Sequence, residues 1–284
     1  MGDRLRPLWD FDDLDATQER LRSQVEQEAD AAGRAEVLTQ LARVAGLRDR
    51  FAEGDRLLDE ADTAAADALV RARVALERGR LRRSSGDPEA AQPRFEEAFA
   101  LAREVGHEFL AVDAAHMAAL AAPDRDARLA WTERALELAA ASGDPEVTYW
   151  CGPLRNNLGW EHYAGGEYEL ALDAFQGALE ARQRDVERPA EIEVARYCLG
   201  KTLRALCRPA EAATMLEQAV AWTQAVGEPD GWFHEELAED YAALGRDIEA
   251  REQARLAIPL LEGADPSFAG DAERSARLRL LAGV

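Results

Sequence analysis

The feature that most constrains this chain is a residue spacing that returns six times. A small residue is followed four positions later by a large apolar residue and, three positions after that, by an alanine. The clearest copy is Ala171, Phe175 and Ala178. Residues at i, i+4 and i+7 lie on one face of a helix, so the small residue admits a neighbouring backbone and the large side chain fills the gap beside it. Repetition of the pattern predicts stacked helix–turn–helix units.

The copy at 151–184 resembles a tetratricopeptide repeat (TPR) over its whole length. Ahead of the triplet it carries Leu158, Gly159, His162 and Tyr168. The resemblance implies an all-α protein, folded as a right-handed TPR-type α-solenoid of about six helix–turn–helix repeats over 34–262. The third repeat is the weakest copy, because Arg128 stands where its small residue is expected.

The two ends of the chain are predicted to cap this solenoid, because terminal repeats must hide their apolar side. Residues 1–33 form an N-terminal capping segment with an apolar cluster that includes Trp9 and Phe11, and 263–284 form a C-terminal capping helix. A docking arm for a partner is the alternative for 1–33. Since no Ser- or Pro-rich linker divides the chain, we expect one domain.

Composition narrows the classes of partner and site. The net charge of −21 would repel nucleic acid and anionic membranes at long range, so neither is an expected partner. No apolar run reaches the ~18–20 residues of a membrane span, and 1–9 lacks the apolar core of a signal peptide, so we expect a cytoplasmic protein. Cys151, Cys198 and Cys207 show no metal-like pairing and are expected to be reduced. No phosphate-binding loop, dinucleotide fingerprint, zinc motif or nucleophile elbow is present, so we expect no cofactor, metal or catalytic residue.

In the TPR family, certain positions of each first helix line a concave groove. Transferred to this sequence, those positions give the candidate ligand-binding residues Arg43, Arg73, Arg80, Asp113, His116, Asn156, Asn157, Trp160, Lys201, Arg204, Trp232 and Glu235. Lys201 is the only lysine of the chain, and 71–83 holds six arginines against one acid, which makes the predicted groove locally basic.

These residue types suit an extended peptide. Lysine and arginine bind carboxylates, asparagine binds peptide backbone, and aromatic side chains hold apolar groups. Each also has a structural interpretation: Trp160 can pack in the core, and Arg78 at a packing position requires a buried partner, for which Asp113 is a candidate. Asp113 and His116 share a helix face and could begin a polar site, although a packed His116 is favoured.

Three functions fit the sequence. We favour a non-catalytic protein- or peptide-binding scaffold or adaptor whose groove takes a partner of acidic or C-terminal carboxylate character. The alternative is a small-molecule sensor or enzyme with a polar pocket around Asp113, His116 and Asn157. The third is an architectural assembly subunit. Repeat folds serve many functions, so the fold does not decide among them.

Overall fold

The computed structural model of the protein describes residues 3–63, 67–184 and 188–284, and its regular structure there is helical. The chain divides into two compact units, Met1–Leu154 (unit 1) and Arg155–Val284 (unit 2). Six consecutive helix pairs stand within the described ranges, as the six copies of the spacing predicted.

Unit 1 is built from three of these pairs with short helices at its edges. After a 3₁₀ turn at Arg6–Leu8, its helices are α1 (Leu14–Gln27), α2 (Ala31–Leu47), α3 (Phe51–Asp62), α4 (Ala68–Ser84), α5 (Pro88–Glu104), α6 (Glu108–Ala121), α7 (Arg125–Ala141) and α8 (Pro145–Thr148). Helix α9 (Cys151–Ala164) begins in unit 1 and continues into unit 2.

Unit 2 repeats the same plan and ends on a single helix. Its remaining helices are α10 (Tyr168–Arg182), α11 (Pro189–Ala205), α12 (Pro209–Val226), α13 (Gly231–Ala243), α14 (Asp247–Ala264) and α15 (Ala272–Ala282).

Local sequence explains where many of the helices start. Across the described residues, eight helices have an aspartate at the N-cap that accepts hydrogen bonds from backbone N–H groups of the first turn, as Asp87 does from Ala90. This satisfies donors that a helix start otherwise leaves unpaired. Pro189 and Pro209 open α11 and α12 at positions where a missing N–H costs nothing.

The repeated spacing is realised as a contact between the two helices of a pair. A Cβ atom at Gly159 would lie 2.5 Å from Cε1 of Phe175, and one at Gly79 would lie 2.4 Å from the same atom of Phe95. Both phenylalanines are fully buried. The glycine of the first helix therefore makes room for the large side chain that the spacing places on the second.

The third pair keeps this arrangement despite its weak sequence. Its turn is only Ala122–Asp124, yet Ala118 and Ala135 are fully buried on facing helices. Both Asp113 and His116 lie on its first helix, α6.

Candidate functional site

In unit 1, the candidate residues on α2, α4 and α6 are already engaged by other parts of the chain. Arg73 is 2% exposed and donates to both carboxylate oxygens of Asp3, at 2.7 and 3.0 Å. Its Nε donates to Glu36 at 3.0 Å. Burial alone would raise the pKa of Asp3, but the hydrogen bonds and charge of Arg73 lower it below its usual value. Asp3 is therefore held as an anion.

A second buried ion cluster links α4 to α6. One terminal nitrogen of Arg80 lies 2.6 Å from each carboxylate oxygen of Asp113, and the other bonds Glu77. Burial would raise the pKa of Asp113, whereas Arg80 and Arg43 lower it. The expectation that Asp113 would partner Arg78 is wrong, because Arg78 donates to Asp59 and Asp62 on α3 instead.

His116 stands next to this cluster but forms no metal site with it. Its ring centre lies 5.2 Å from that of Trp150, and burial lowers the pKa of His116, so the imidazole is neutral at neutral pH. Among the described residues, no group of three His, Cys, Asp or Glu side chains could hold a metal ion.

Unit 2 contains a cavity of about 340 Å³ between α11, α13 and α15. Its lining combines two aromatic side chains, four cations and two carboxylates: Tyr197, Trp232, Lys201, Arg204, Arg274, Arg277, Glu235 and Glu236. Four of the sequence-predicted site residues are among them. They are Lys201, Arg204, Trp232 and Glu235.

Glu236 holds two of the cavity's cations in place. It is 3% exposed and accepts from Lys201, and its second oxygen accepts from Arg204 at 3.0 and 2.7 Å. Burial would raise the pKa of Glu236, but Lys201 and Arg204 outweigh it and lower the pKa below its usual range. One buried carboxylate thus shows how these two side chains together bind an anion.

The other cavity charges are also matched. Arg274 makes two hydrogen bonds with Glu235, at 2.7 and 2.6 Å, and one with Asp265 at 2.7 Å. Arg277 pairs with Glu239. Tyr197 stacks on Phe233 with ring centres 5.3 Å apart, which fixes one aromatic wall.

Asn156, Asn157 and Trp160 lie on α9, outside the lining of this cavity. Asn156 accepts a hydrogen bond from the thiol of Cys198 at 3.5 Å. Trp160 meets Phe175 edge to face at 5.2 Å and belongs to the surrounding apolar cluster. Asn157 is half-buried.

Sequence reasoning missed several residues of the cavity. Glu236 is next to Glu235, which was the predicted groove residue. Arg274 and Arg277 lie on the helix that was predicted only to cap the C-terminal end. Trp232 and Glu236 are four residues apart and therefore lie on one helix face. This spacing could have identified Glu236 as a residue of the same site.

The comparisons with known proteins establish the fold. The apo form of RapI superposes with a TM-score of 0.74 at 13% identity, over 94% of this chain and 75% of that one. A signal transduction ATPase with a tetratricopeptide repeat sensor, PH0952 from Pyrococcus horikoshii, gives 0.73 at 17% identity over 94% of this chain, which spans 41% of that chain. NprR in complex with its cognate peptide NprX gives 0.52 at 15% identity, over 94% and 76%.

These similarities show a TPR-type all-α solenoid fold, which confirms the fold predicted from the sequence. No protein-family model matches the chain, and no curated protein matches it. Across the described ranges, none of the helices combines the length and the apolar character needed to cross a membrane.

Proposed function

We propose that the protein is a non-catalytic scaffold or adaptor that binds a peptide segment of a partner protein in the unit-2 cavity. The observation that carries the proposal is the cavity itself, in which Lys201 and Arg204 converge on one anion beside the aromatic side chains of Tyr197 and Trp232. Its volume lies within the range of ~300–1,000 Å³ that ligand sites occupy. NprR, a protein of similar fold, is a peptide-bound precedent.

The ligand chemistry follows from the occupied ion pairs. An acidic side chain or a C-terminal carboxylate of the partner would take the place of Glu236 on Lys201 and Arg204, and an adjacent apolar side chain would pack on Trp232. Charge-assisted hydrogen bonds of this kind contribute about 1.5–3 kcal/mol each. Glu236 therefore competes with the ligand, and its removal should strengthen binding.

Variants of Glu236 test this competition. Two pools of random decapeptides, one ending in a free carboxylate and one in a carboxamide, are captured on the full-length protein and identified by mass spectrometry. Glu236→Gln should enrich the free-carboxylate pool roughly tenfold over wild type, because it frees two cations. Lys201→Met/Arg204→Met/Glu236→Gln should abolish that enrichment without leaving an unpaired buried charge.

The control variant removes the charges of an ion pair that does not line the cavity. Arg208 and Glu211 form an exposed ion pair at the N-terminus of α12, so Arg208→Met/Glu211→Gln should bind both pools as wild type does. Equal enrichment of the free-carboxylate pool by Glu236→Gln and by the triple variant would refute the assignment of the cavity as the binding site.

A small-molecule pocket around Asp113, His116 and Asn157 remains a prediction. In unit 1, Arg80 holds both oxygens of Asp113, so a ligand that used this carboxylate would have to break a buried ion pair. The scaffold is favoured because Lys201 and Arg204 keep 26% and 31% of their side chains exposed, against 12% and 8% for Arg80 and Asp113.

A further inference from the structure

The segment Asp3–Phe11 makes a series of side-chain contacts along the inner helices of unit 1. Asp3 is bound by Arg73 on α4, and its N–H donates to Glu146 on α8 at 3.1 Å. Arg4 donates to Glu36 on α2 at 3.0 Å. Successive residues of one short segment thus reach three different helices.

The second half of the segment continues this path. The guanidinium of Arg6 lies 5.3 Å from the ring centre of Phe109 on α6. Trp9 donates from Nε1 to Gln40 at 3.0 Å, and its ring is covered by the guanidinium of Arg43 at 5.0 Å. Phe11 stacks on Trp9 at 4.9 Å.

A cap accounts for only part of these contacts. Leu21 of α1 and Leu5 of the segment are both buried in one apolar core with α2, which is the role predicted for 1–33. Asp3–Phe11 also pairs acid with base, and Arg73 on α4 is far in sequence from the segment that it binds. The contacts are those of a peptide ligand: an acidic residue followed by a basic one fixes the direction, and a tryptophan anchors the second half.

Unit 1 also holds buried polar atoms that the segment does not satisfy. Glu77 Oε2, His116 Nδ1 and Trp150 Nε1 are buried and have no hydrogen-bond partner among the described residues. Unpaired buried polar atoms are rare because each raises the free energy of the folded state. Two of them, Glu77 and His116, belong to α4 and α6, the helices that Asp3 and Arg6 contact.

We infer that the groove of unit 1 is a second peptide-binding surface, and that Asp3–Phe11 occupies it as an internal ligand that a partner peptide of the same chemistry displaces. The partner carries an acidic residue for Arg73, a basic residue next to it for Glu36, and a tryptophan five positions later for Gln40 and Arg43. Because the internal segment is tethered, its effective concentration is high, on the order of millimolar. A free peptide therefore binds only weakly until the segment is released.

The experiment uses a fluorescein-labelled synthetic peptide with the sequence of Asp3–Phe11 and the full-length protein. Fluorescence anisotropy should show no binding to wild type at micromolar protein. The release variant Asp3→Asn/Trp9→Ala, which weakens the internal segment at both anchors, should bind the probe at least tenfold more tightly. Asp12→Asn changes an exposed aspartate just beyond the segment and should behave as wild type.

Variants of the groove locate the bound probe. Adding Gln40→Ala to the release variant should weaken probe binding, whereas Lys201→Met/Arg204→Met/Glu236→Gln should leave it unchanged, which separates this surface from the unit-2 cavity. A folded release variant that does not bind the probe would overturn the inference and leave Asp3–Phe11 as a structural strap.

If the release variant does not fold, a measurement on the wild-type protein can still test whether a free peptide displaces Asp3–Phe11. In protein labelled with 5-fluorotryptophan, the Trp9 resonance, assigned with Trp9→Phe, reports whether the segment is seated. Millimolar unlabelled probe should shift the Trp9 resonance toward that of a free peptide. A Trp9 resonance that does not move at saturating probe would contradict displacement.

Discussion

The buried carboxyl group of Asp240 on α13 predicts how the free energy of unfolding depends on pH. Its side chain is fully buried, and neither carboxylate oxygen has a hydrogen-bond partner among the described residues. Burial raises the pKa of Asp240 from 3.8 to about 8, with Arg204 opposing the rise and Glu236 and Glu239 adding to it. The folded protein therefore holds a proton here that the unfolded chain has lost at neutral pH.

The sign of the pH dependence follows from linkage. Because the folded-state pKa lies above the unfolded value, the folded state binds more protons, and the contribution of Asp240 to stability falls as the pH rises from about 4 to about 8. Each pKa unit corresponds to about 1.4 kcal/mol. The rise of the pKa from 3.8 to about 8 would correspond to about 6 kcal/mol. We expect about 3–5 kcal/mol for the full effect, because local relaxation and water penetration lower the cost of a buried charge.

Urea unfolding of Asp240→Asn at pH 5, 7 and 9 measures this effect. The gain in free energy of unfolding relative to wild type should grow from about 1–2 kcal/mol at pH 5 to about 3–5 kcal/mol at pH 9. A constant offset from the new amide cancels when the three pH values are compared. Glu252→Gln removes an exposed carboxylate of α14 and should show no such trend. A difference between Asp240→Asn and wild type that is the same at all three pH values would refute the reasoning.

Two further predictions concern packing and thiol chemistry. Gly159→Ala places a Cβ against Phe175 and should lower the free energy of unfolding by about 1–3 kcal/mol. The Cβ of Gly143→Ala meets nothing within 4 Å, so this variant should change the free energy of unfolding little. Chemical denaturation measures both variants against wild type. Cys207 is exposed and should react with a thiol reagent in the native protein. Cys198 is buried, which raises the pKa of its thiol to about 12, so it should react only after unfolding. Faster reaction of Cys198 than of Cys207 in the native protein would contradict this prediction.

The sequence predicts the helix pairs well because their packing is local and periodic. The burial of Phe175 follows from a spacing visible within one repeat, and the position of Lys201 and Arg204 on one face of α11 follows from the same helical period. Helical periodicity indicates which face a residue occupies, so such positions can be read from the sequence.

The partners of those residues could not be read in the same way. Whether Glu236 contacts Lys201 and Arg204 depends on how α13 packs against α11. A sequence shows which helix face a side chain occupies, but not which residue of the next repeat it contacts. The path of Asp3–Phe11 was missed for a different reason. The segment is mostly irregular, so it leaves no periodicity, and three helices, α1 to α3, separate Asp3 from Arg73 in the sequence.

Photo-crosslinking tests the unit-2 cavity most directly. Trp232 lines the cavity, whereas Trp222 lies on α12 and does not. Each is replaced in turn by p-benzoylphenylalanine, and the protein is irradiated with the free-carboxylate decapeptides captured by Glu236→Gln. Crosslinked peptide should form at position 232 and be absent at 222. Crosslinking at 222 with none at 232 would place the peptide elsewhere and contradict the proposed function.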